Sequence, residues 1–118
     1  MSQIRVVLAD DHARVRRNLR LLLDGEGDVE VAAEAADLAA VVSRVHRHTP
    51  HVLILDLQMP GGSSIETIRG LRQEVPGMEI VTLTMEYSPA FGQRALDAGA
   101  LGFARSALPS APSWSTSR

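Results

Sequence analysis

VLILDLQMPG, residues 52–61, is an apolar run that ends at Asp56 and passes into a turn. A second apolar run, Ile4 to Ala9, ends in the acidic pair Asp10-Asp11. Buried strands of a parallel sheet read as continuous apolar runs, and ligands sit at the carboxyl ends of such strands. If the two runs are neighbouring strands, three carboxylates meet at one edge of the sheet. The pattern therefore predicts a parallel sheet with an acidic site at its edge.

Short apolar runs alternate with helix-period segments along the rest of the chain. Further strands are predicted at 29–33, at 80–84 and, more weakly, at 101–104. Apolar residues at helical spacing follow each of the first three strands, and a fourth helix is predicted at 89–98. Strands that alternate with helices favour right-handed crossovers. We therefore predict an α/β fold built on a doubly wound parallel sheet.

Composition narrows the class of protein. The chain has 118 residues, enough for one domain, with 45% apolar residues and a formal net charge of −2. It has no cysteine and no basic excess, which argues against thiolate metal sites and a nucleic-acid surface. No apolar stretch reaches the roughly 18 residues that span a bilayer, and no signal peptide precedes Ile4. A cytoplasmic location is expected.

Phosphoryl transfer onto a carboxylate would give each polar residue at this edge a role. Asp56 would attack phosphorus and form an acyl phosphate, and the Thr84 hydroxyl would hydrogen-bond a phosphoryl oxygen. Mg²⁺ is the expected cofactor, held by Asp11, Asp56 and the backbone carbonyl of Gln58, with Asp10 bound through water. The alternative is that these carboxylates are merely solvated or cap the following helices.

The order of these motifs resembles the response-regulator receiver domain of two-component signalling systems. The resemblance covers Ile4 to about Ser106, nearly the whole chain. It rests on Asp10-Asp11, Asp56 with Met59-Pro60-Gly61, Thr84, and the Gly99-Ala100-Leu101-Gly102-Phe103 segment. Asp10-Asp11-His12 and Gly61-Gly62 are most similar to the NarL/LuxR-type branch of that family.

The resemblance implies a flavodoxin-like sheet of five strands in the order 2-1-3-4-5. It implies that Asp56 takes phosphate from a histidine kinase or a phosphotransfer protein, with Thr84 and the aromatic Phe103 changing position on phosphorylation. The chain would then be no enzyme beyond catalysing its own phosphorylation, and would itself bind neither DNA nor membrane. An aspartyl-phosphate phosphatase is disfavoured, because Asp56-Leu57-Gln58 lacks the second acid that such enzymes carry two residues on.

The sequence departs from the family near Arg105. Ser106 stands where the family has a lysine, and all 12 basic residues of the chain are arginines. Arg105 is one position off and would point to the opposite face of a strand. We predict a receiver domain at 1–105 and an irregular Pro/Ser-rich tail at 106–118, with the fifth helix missing or irregular and no helix-turn-helix domain following. These losses favour an alternative function, a degenerate receiver that acts as a phosphorylation-independent protein-interaction module.

A missing fifth helix would leave apolar sheet surface uncovered beside the first helix. We expect a homodimer through that face. The alternative is that the tail from Leu108 to Trp114 folds over it. His12 is expected to be a surface residue in the first turn of the helix, and the alternative is that it touches the rim of the Mg²⁺ site. His46, His48 and His51 are expected to be solvated in a helix-to-strand connection, and the alternative is that they form a metal site.

Overall fold

The structure is a computed structural model that describes residues 3–84, 93–94, 97, 99, 102–105 and 113–116. The strands and helices in chain order are β1 (Ile4–Ala9), α1 (Ala13–Asp24), β2 (Val29–Ala35), α2 (Leu38–His48), β3 (Val52–Asp56), α3 (Ser64–Glu74), β4 (Glu79–Thr84), β5 (Gly102–Arg105) and β6 (Ser113–Thr116). Within these residues, no helix is long and apolar enough to cross a membrane.

All six strands belong to one sheet in the order β2-β1-β3-β4-β5-β6. The first five pair in parallel, and β6 pairs antiparallel with β5. The predicted order 2-1-3-4-5 is therefore confirmed. The chain crosses from β2 over β1 to β3, so the carboxyl ends of β1 and β3 flank the point where the strand order reverses, and ligands bind at that point in open α/β sheets.

Apolar side chains alternate along the strands and fill a layer on each face of the sheet. Val7 and Leu53 pack with α2 and α3 on one face, whereas Leu8 and Ile54 pack with α1 on the other. Because both faces are covered, the central strands are apolar at consecutive positions. This is the physical reason that the continuous runs in the sequence predicted these strands correctly.

The loop after β3 is held in place by backbone contacts. The Leu38 N–H, at the start of α2, donates to the Pro60 carbonyl at 3.0 Å. Gly61 and Gly62 follow with φ angles of +104° and +132°, which side-chain-bearing residues rarely adopt. The glycine pair thus allows the chain to turn beside α2 and positions the loop that follows Asp56.

The structure corrects one prediction in the last third of the chain. Four residues of the tail predicted to be irregular, Ser113–Thr116, form a strand along β5, in which the backbone of Trp114 pairs with Ala104. The fifth strand, predicted at 101–104, is described at Gly102–Arg105, and Leu101 lies outside the described residues. Gln93, Arg94 and Asp97 are helical, as the prediction of a helix at 89–98 requires. The rest of that helix, Ser106 and Leu108 lie outside the described residues, and the domain boundary at 105 stays a prediction.

The two-faced core predicts where truncation is costly. Leu53 is fully buried in β3, so Leu53→Ala should lower the free energy of unfolding by about 2–5 kcal/mol. Leu21, 64% exposed on α1, provides the control, and Leu21→Ala should change it by less than about 0.5 kcal/mol. Urea unfolding followed by circular dichroism measures both. Equal losses for the two variants would contradict the placement of β3 at the centre of the sheet.

Candidate functional site

Three carboxylates converge at the carboxyl ends of β1 and β3. Ala9 pairs with Leu55 across the two strands, so the next residues, Asp10 and Asp56, lie side by side at the sheet edge. Both of these side chains are fully buried, whereas that of Asp11 is partly exposed. We call the side chains of Asp10, Asp11 and Asp56 the acidic cluster. One oxygen from each, together with one ring nitrogen of His12, lies within 4.8 Å of every other.

Asp10 and Asp56 are held in the same way. In each, Oδ1 accepts a hydrogen bond from the backbone N–H two residues on: from His12 at 2.8 Å and from Gln58 at 2.9 Å. These are side-chain-to-backbone turns of the Asx type. In each, Oδ2 is buried and has no hydrogen-bond partner. An unpartnered buried carboxylate oxygen costs free energy unless a cation or another donor meets it.

His12 lies closer to the acidic cluster than the sequence indicated. Its Nδ1 is 3.0 Å from Asp11 Oδ1, 3.2 Å from Asp10 Oδ1 and 3.8 Å from Asp56 Oδ2. The side chain is 47% exposed, so it is a surface residue, as expected, but its ring turns inward over the three carboxylates. The position of His12 directly after the acidic pair and the lack of lysine were the available signals.

Two arginines of α1 anchor the loop that carries the acidic pair. Arg16 donates from Nη1 to the Asp10 carbonyl at 2.6 Å and from Nε to Glu34 Oε1 at 2.8 Å. Arg20 donates to the other oxygen of Glu34. Burial alone would raise the pKa of Glu34, but the hydrogen bonds from Arg20 and Arg16 outweigh it and hold that pKa below its usual value. These contacts join β2 to the start of α1, a role that sequence inspection missed.

Burial and charge perturb the titrating groups of the site. Burial raises the pKa of Asp56 from 3.8 to about 6; the charges of Asp10 and Asp11 add to the rise, while the Gln58 N–H and His12 oppose it. The hydrogen bond with Asp10 raises the pKa of His12 above its ordinary value. The neighbouring carboxylates add to this rise and partial burial opposes it. Near pH 7 the carboxyl group of Asp56 is thus still mostly ionised.

The remaining predicted site residues fall into two groups. Gln58 is exposed directly after Leu57 and contacts Asp56 through its N–H; a role for its carbonyl as a metal ligand stays a prediction. Thr84 ends β4 and Phe103 lies in β5, so their backbones are placed near this edge, but their side chains are outside the described part. Ser106, at the family's lysine position, also lies outside it. His46 and His48 lie in α2 and not in the connection after it, which corrects their predicted place, and His51 Nδ1 accepts from the Arg5 N–H. In the described residues, no metal-ligating group includes these three histidines.

The chemistry of the acidic cluster fits a divalent cation. Mg²⁺ takes oxygen ligands and is commonly held by one or two carboxylates while it keeps several waters. Two buried oxygens without partners, at adjacent strand ends and beside a third carboxylate, are such a ligand set. Asp10, Asp11 and Asp56 would hold the ion, and its charge would offset their mutual repulsion.

Comparison with known proteins identifies the family. The family described as "Response regulator receiver domain" matches residues 6–105. This chain belongs to that family. The oxygen regulatory protein NreC of Staphylococcus epidermidis is 39% identical over 102 residues, which are 85% of this chain and 46% of that protein. The chain thus spans less than half the length of this curated relative.

Solved structures place the receiver in the NarL/LuxR-type branch. A two-component response regulator of the LuxR family from Aurantimonas sp. SI85-9A1 matches with a TM-score of 0.84 and 34% identity, over 92% of this receiver chain and 77% of that one. The isolated receiver domain of RcsB from Salmonella enterica serovar Typhimurium, solved in the presence of phosphomimetic BeF3⁻, matches with a TM-score of 0.80 and 33% identity, over 86% and 76%.

The raised pKa of Asp56 predicts a pH-dependent stability of the metal-free receiver. Because the folded pKa of about 6 exceeds the ordinary 3.8, the folded state binds the proton more tightly. This stabilisation is fully present below about pH 4 and is lost as the pH rises through 6. Between pH 5 and 7.5 the free energy of unfolding should fall by about 1 kcal/mol through Asp56. The raised pKa of His12 acts in the same direction.

Urea titrations with a chelator at both pH values measure the difference. Asp56→Asn removes the titrating group. The free energy of unfolding of this variant should therefore fall less between pH 5 and 7.5 than that of the wild type. Asp28→Asn, at an exposed position, should keep the wild-type decline. Parallel profiles for all three proteins would contradict the assignment.

Proposed function

We propose that this receiver is a phosphoacceptor whose Asp56 takes a phosphoryl group from a histidine kinase or a phosphotransfer protein. The observation that carries the proposal is the unpartnered Oδ2 of Asp56, buried at the edge of the sheet beside a second such oxygen on Asp10. The family match over residues 6–105 supports it. The receiver is then a substrate that catalyses at most its own phosphorylation, in a cytoplasmic pathway.

The proposed chemistry is a displacement at phosphorus. A lone pair of Asp56 Oδ2 attacks phosphorus while the bond from phosphorus to the donor's imidazole nitrogen breaks, and that nitrogen keeps the bonding pair. The Gln58 N–H holds Oδ1, so the second oxygen stays turned toward the acidic cluster. Mg²⁺, when bound, supplies positive charge for the phosphoryl oxygens. Asp10, Asp11, Asp56 and the Gln58 carbonyl are its proposed ligands.

Output in this proposal depends on Thr84 and Phe103. The Thr84 hydroxyl would contact the phosphoryl group at the end of β4, next to β3, and Phe103 in β5 would change position with it. Leu83 pairs with Asp56, so Thr84 follows directly at the same edge. In this proposal Asp56 is the nucleophile, and the change at Thr84 in β4 is passed to Phe103 in the neighbouring strand β5.

The absence of lysine favours a second candidate function. A receiver with no lysine and with Ser106 at the family's lysine position lacks the cation that pairs with the phosphoryl group. Such a chain would act as a protein-interaction module whose output does not depend on phosphorylation. A conformational readout separates the two functions, because the first requires a change on phosphorylation and the second does not.

Intact-mass measurement after treatment with acetyl phosphate and Mg²⁺ tests the phosphoacceptor. The wild type should gain one phosphoryl group, Asp56→Asn none, and the exposed-site control Asp28→Asn should behave as the wild type. A chelator should prevent the gain. Phosphate on Asp56→Asn at the wild-type level would contradict the role of Asp56. A wild-type gain with an unchanged amide NMR spectrum would support the interaction module instead.

We further propose that the receiver forms a homodimer through the face left by the missing fifth helix, with the exposed flank of α1 at its border. Leu22 is 54% exposed on the same helix whose buried side contacts β1 through Leu19. Apolar patches of a few hundred Å² on a protein surface often mark interfaces. In the family, the first and fifth helices cover the same side of the sheet. α1 therefore borders the part of that side that a fifth helix would cover.

Sedimentation equilibrium at several concentrations tests the dimer. Wild type should associate, and Leu22→Glu should shift it toward monomer by at least tenfold in dissociation constant. Val42→Glu is the matched control, since Val42 is a partly exposed apolar residue on α2 across the sheet. A wild type that stays monomeric at every concentration would rule out the dimer.

A further inference from the structure

We infer that His12 is a nitrogen ligand of the metal site, and that the site therefore also binds divalent ions that accept imidazole, such as Co²⁺ or Zn²⁺. The inference rests on the proposed function, because it concerns the same metal site. It adds a ligand and a class of ion to the all-oxygen site proposed there.

The first argument is the position of the ring. Nδ1 of His12 is the atom that faces the acidic cluster, between 3.0 and 3.8 Å from oxygens of Asp10, Asp11 and Asp56. Ligands about 2.1 Å from one ion lie at most about 4.2 Å apart. The four candidate ligand atoms lie within 4.8 Å of one another, so a contraction of about half an ångström would bring all of them into one coordination shell.

The second argument is independent of the ring. Asp10 Oδ2 and Asp56 Oδ2 belong to fully buried side chains and lack a hydrogen-bond partner, whereas the other oxygen of each is already engaged by a backbone N–H. The free oxygens are the ones available to a metal. Asp56 Oδ2 is also the oxygen that faces His12, at 3.8 Å.

The turn after β1 holds His12 at this position. Its N–H donates to Asp10 Oδ1, and Arg16 holds the Asp10 carbonyl from α1. The backbone next to the ring is therefore fixed, while the half-exposed side chain keeps the freedom to tilt toward an ion. When the ring binds an ion, it therefore loses side-chain freedom but no backbone freedom.

The ligand chemistry sets the selectivity. Imidazole suits Zn²⁺, Ni²⁺ and similar ions, whereas Mg²⁺ is bound through oxygen. The ring should therefore contribute to the affinity for Co²⁺ or Zn²⁺ and little to that for Mg²⁺. A site of carboxylates and one imidazole can bind both Mg²⁺ and the ions that accept imidazole. His12 therefore adds Co²⁺ and Zn²⁺ to the ions that the site binds without removing the ligands of Mg²⁺.

Titration calorimetry with Co²⁺ alone and with Mg²⁺ alone tests the inference on the full chain. His12→Gln should weaken Co²⁺ binding at least tenfold and change Mg²⁺ binding by less than twofold. His46→Gln is the control: His46 is half-exposed and pairs with Glu74 at 2.8 Å, outside the site, so both affinities should stay unchanged. Retained Mg²⁺ binding also shows that the variant is folded.

The Co²⁺ visible spectrum supplies a second readout, since loss of a nitrogen ligand shifts its absorption bands. Unchanged Co²⁺ affinity and spectrum in His12→Gln would overturn the inference, as would equal losses for Co²⁺ and Mg²⁺.

Failure of the inference and failure of the proposed function give different results. Suppose that Asp56 accepts phosphate in the presence of Mg²⁺, but that His12→Gln leaves Co²⁺ binding unchanged. The proposed phosphoacceptor function is then supported, and the inference about His12 is wrong. If Co²⁺ binding depends on His12 and Asp56 accepts no phosphate, the inference stands and the phosphoacceptor falls.

Discussion

Asp10 and Asp56 place two carboxylates in the protein interior at adjacent strand ends, and one oxygen of each has no partner. Ionised carboxylates are rarely buried unless paired, so this arrangement is costly to stability without a cation. The rest of the site limits that cost. Backbone N–H groups satisfy the other two oxygens, His12 brings an imidazole to within 4 Å, and Asp11 stays partly in water. The unpartnered oxygens of Asp10 and Asp56 therefore favour the binding of a cation at this edge of the sheet.

Most of the fold could be predicted from the sequence, because sheet strands buried on both faces must be apolar at consecutive positions. The runs before Asp10 and Asp56 satisfy that condition, and the sheet order brings the two residues together. Features that depend on individual hydrogen bonds were not predicted. The inward turn of His12 depends on a hydrogen bond within its own turn. The pairing of Ser113–Thr116 with β5 depends on backbone hydrogen bonds, to which side-chain pattern contributes little.

The ion pairs of α1 have a structural reason for being arginine. Arg16 uses its planar guanidinium to bind a backbone carbonyl and a carboxylate together, and a lysine ammonium cannot span two acceptors in that fixed geometry. The chain has arginine at all 12 basic positions, so this anchor is available. The same composition gives the acidic cluster no lysine ammonium, so in the proposed phosphoacceptor a bound metal ion would supply positive charge for the phosphoryl oxygens.

The antiparallel strand β6 has a consequence for solubility. A free sheet edge presents unpaired N–H and C=O groups to which another chain can add a strand, and natural proteins protect such edges. Ser113–Thr116 covers β5 and becomes the outermost strand itself. It has only four residues, and short edge strands are poor templates for strand addition. Removing these residues would expose the edge of β5, and the receiver should then aggregate by strand addition on heating.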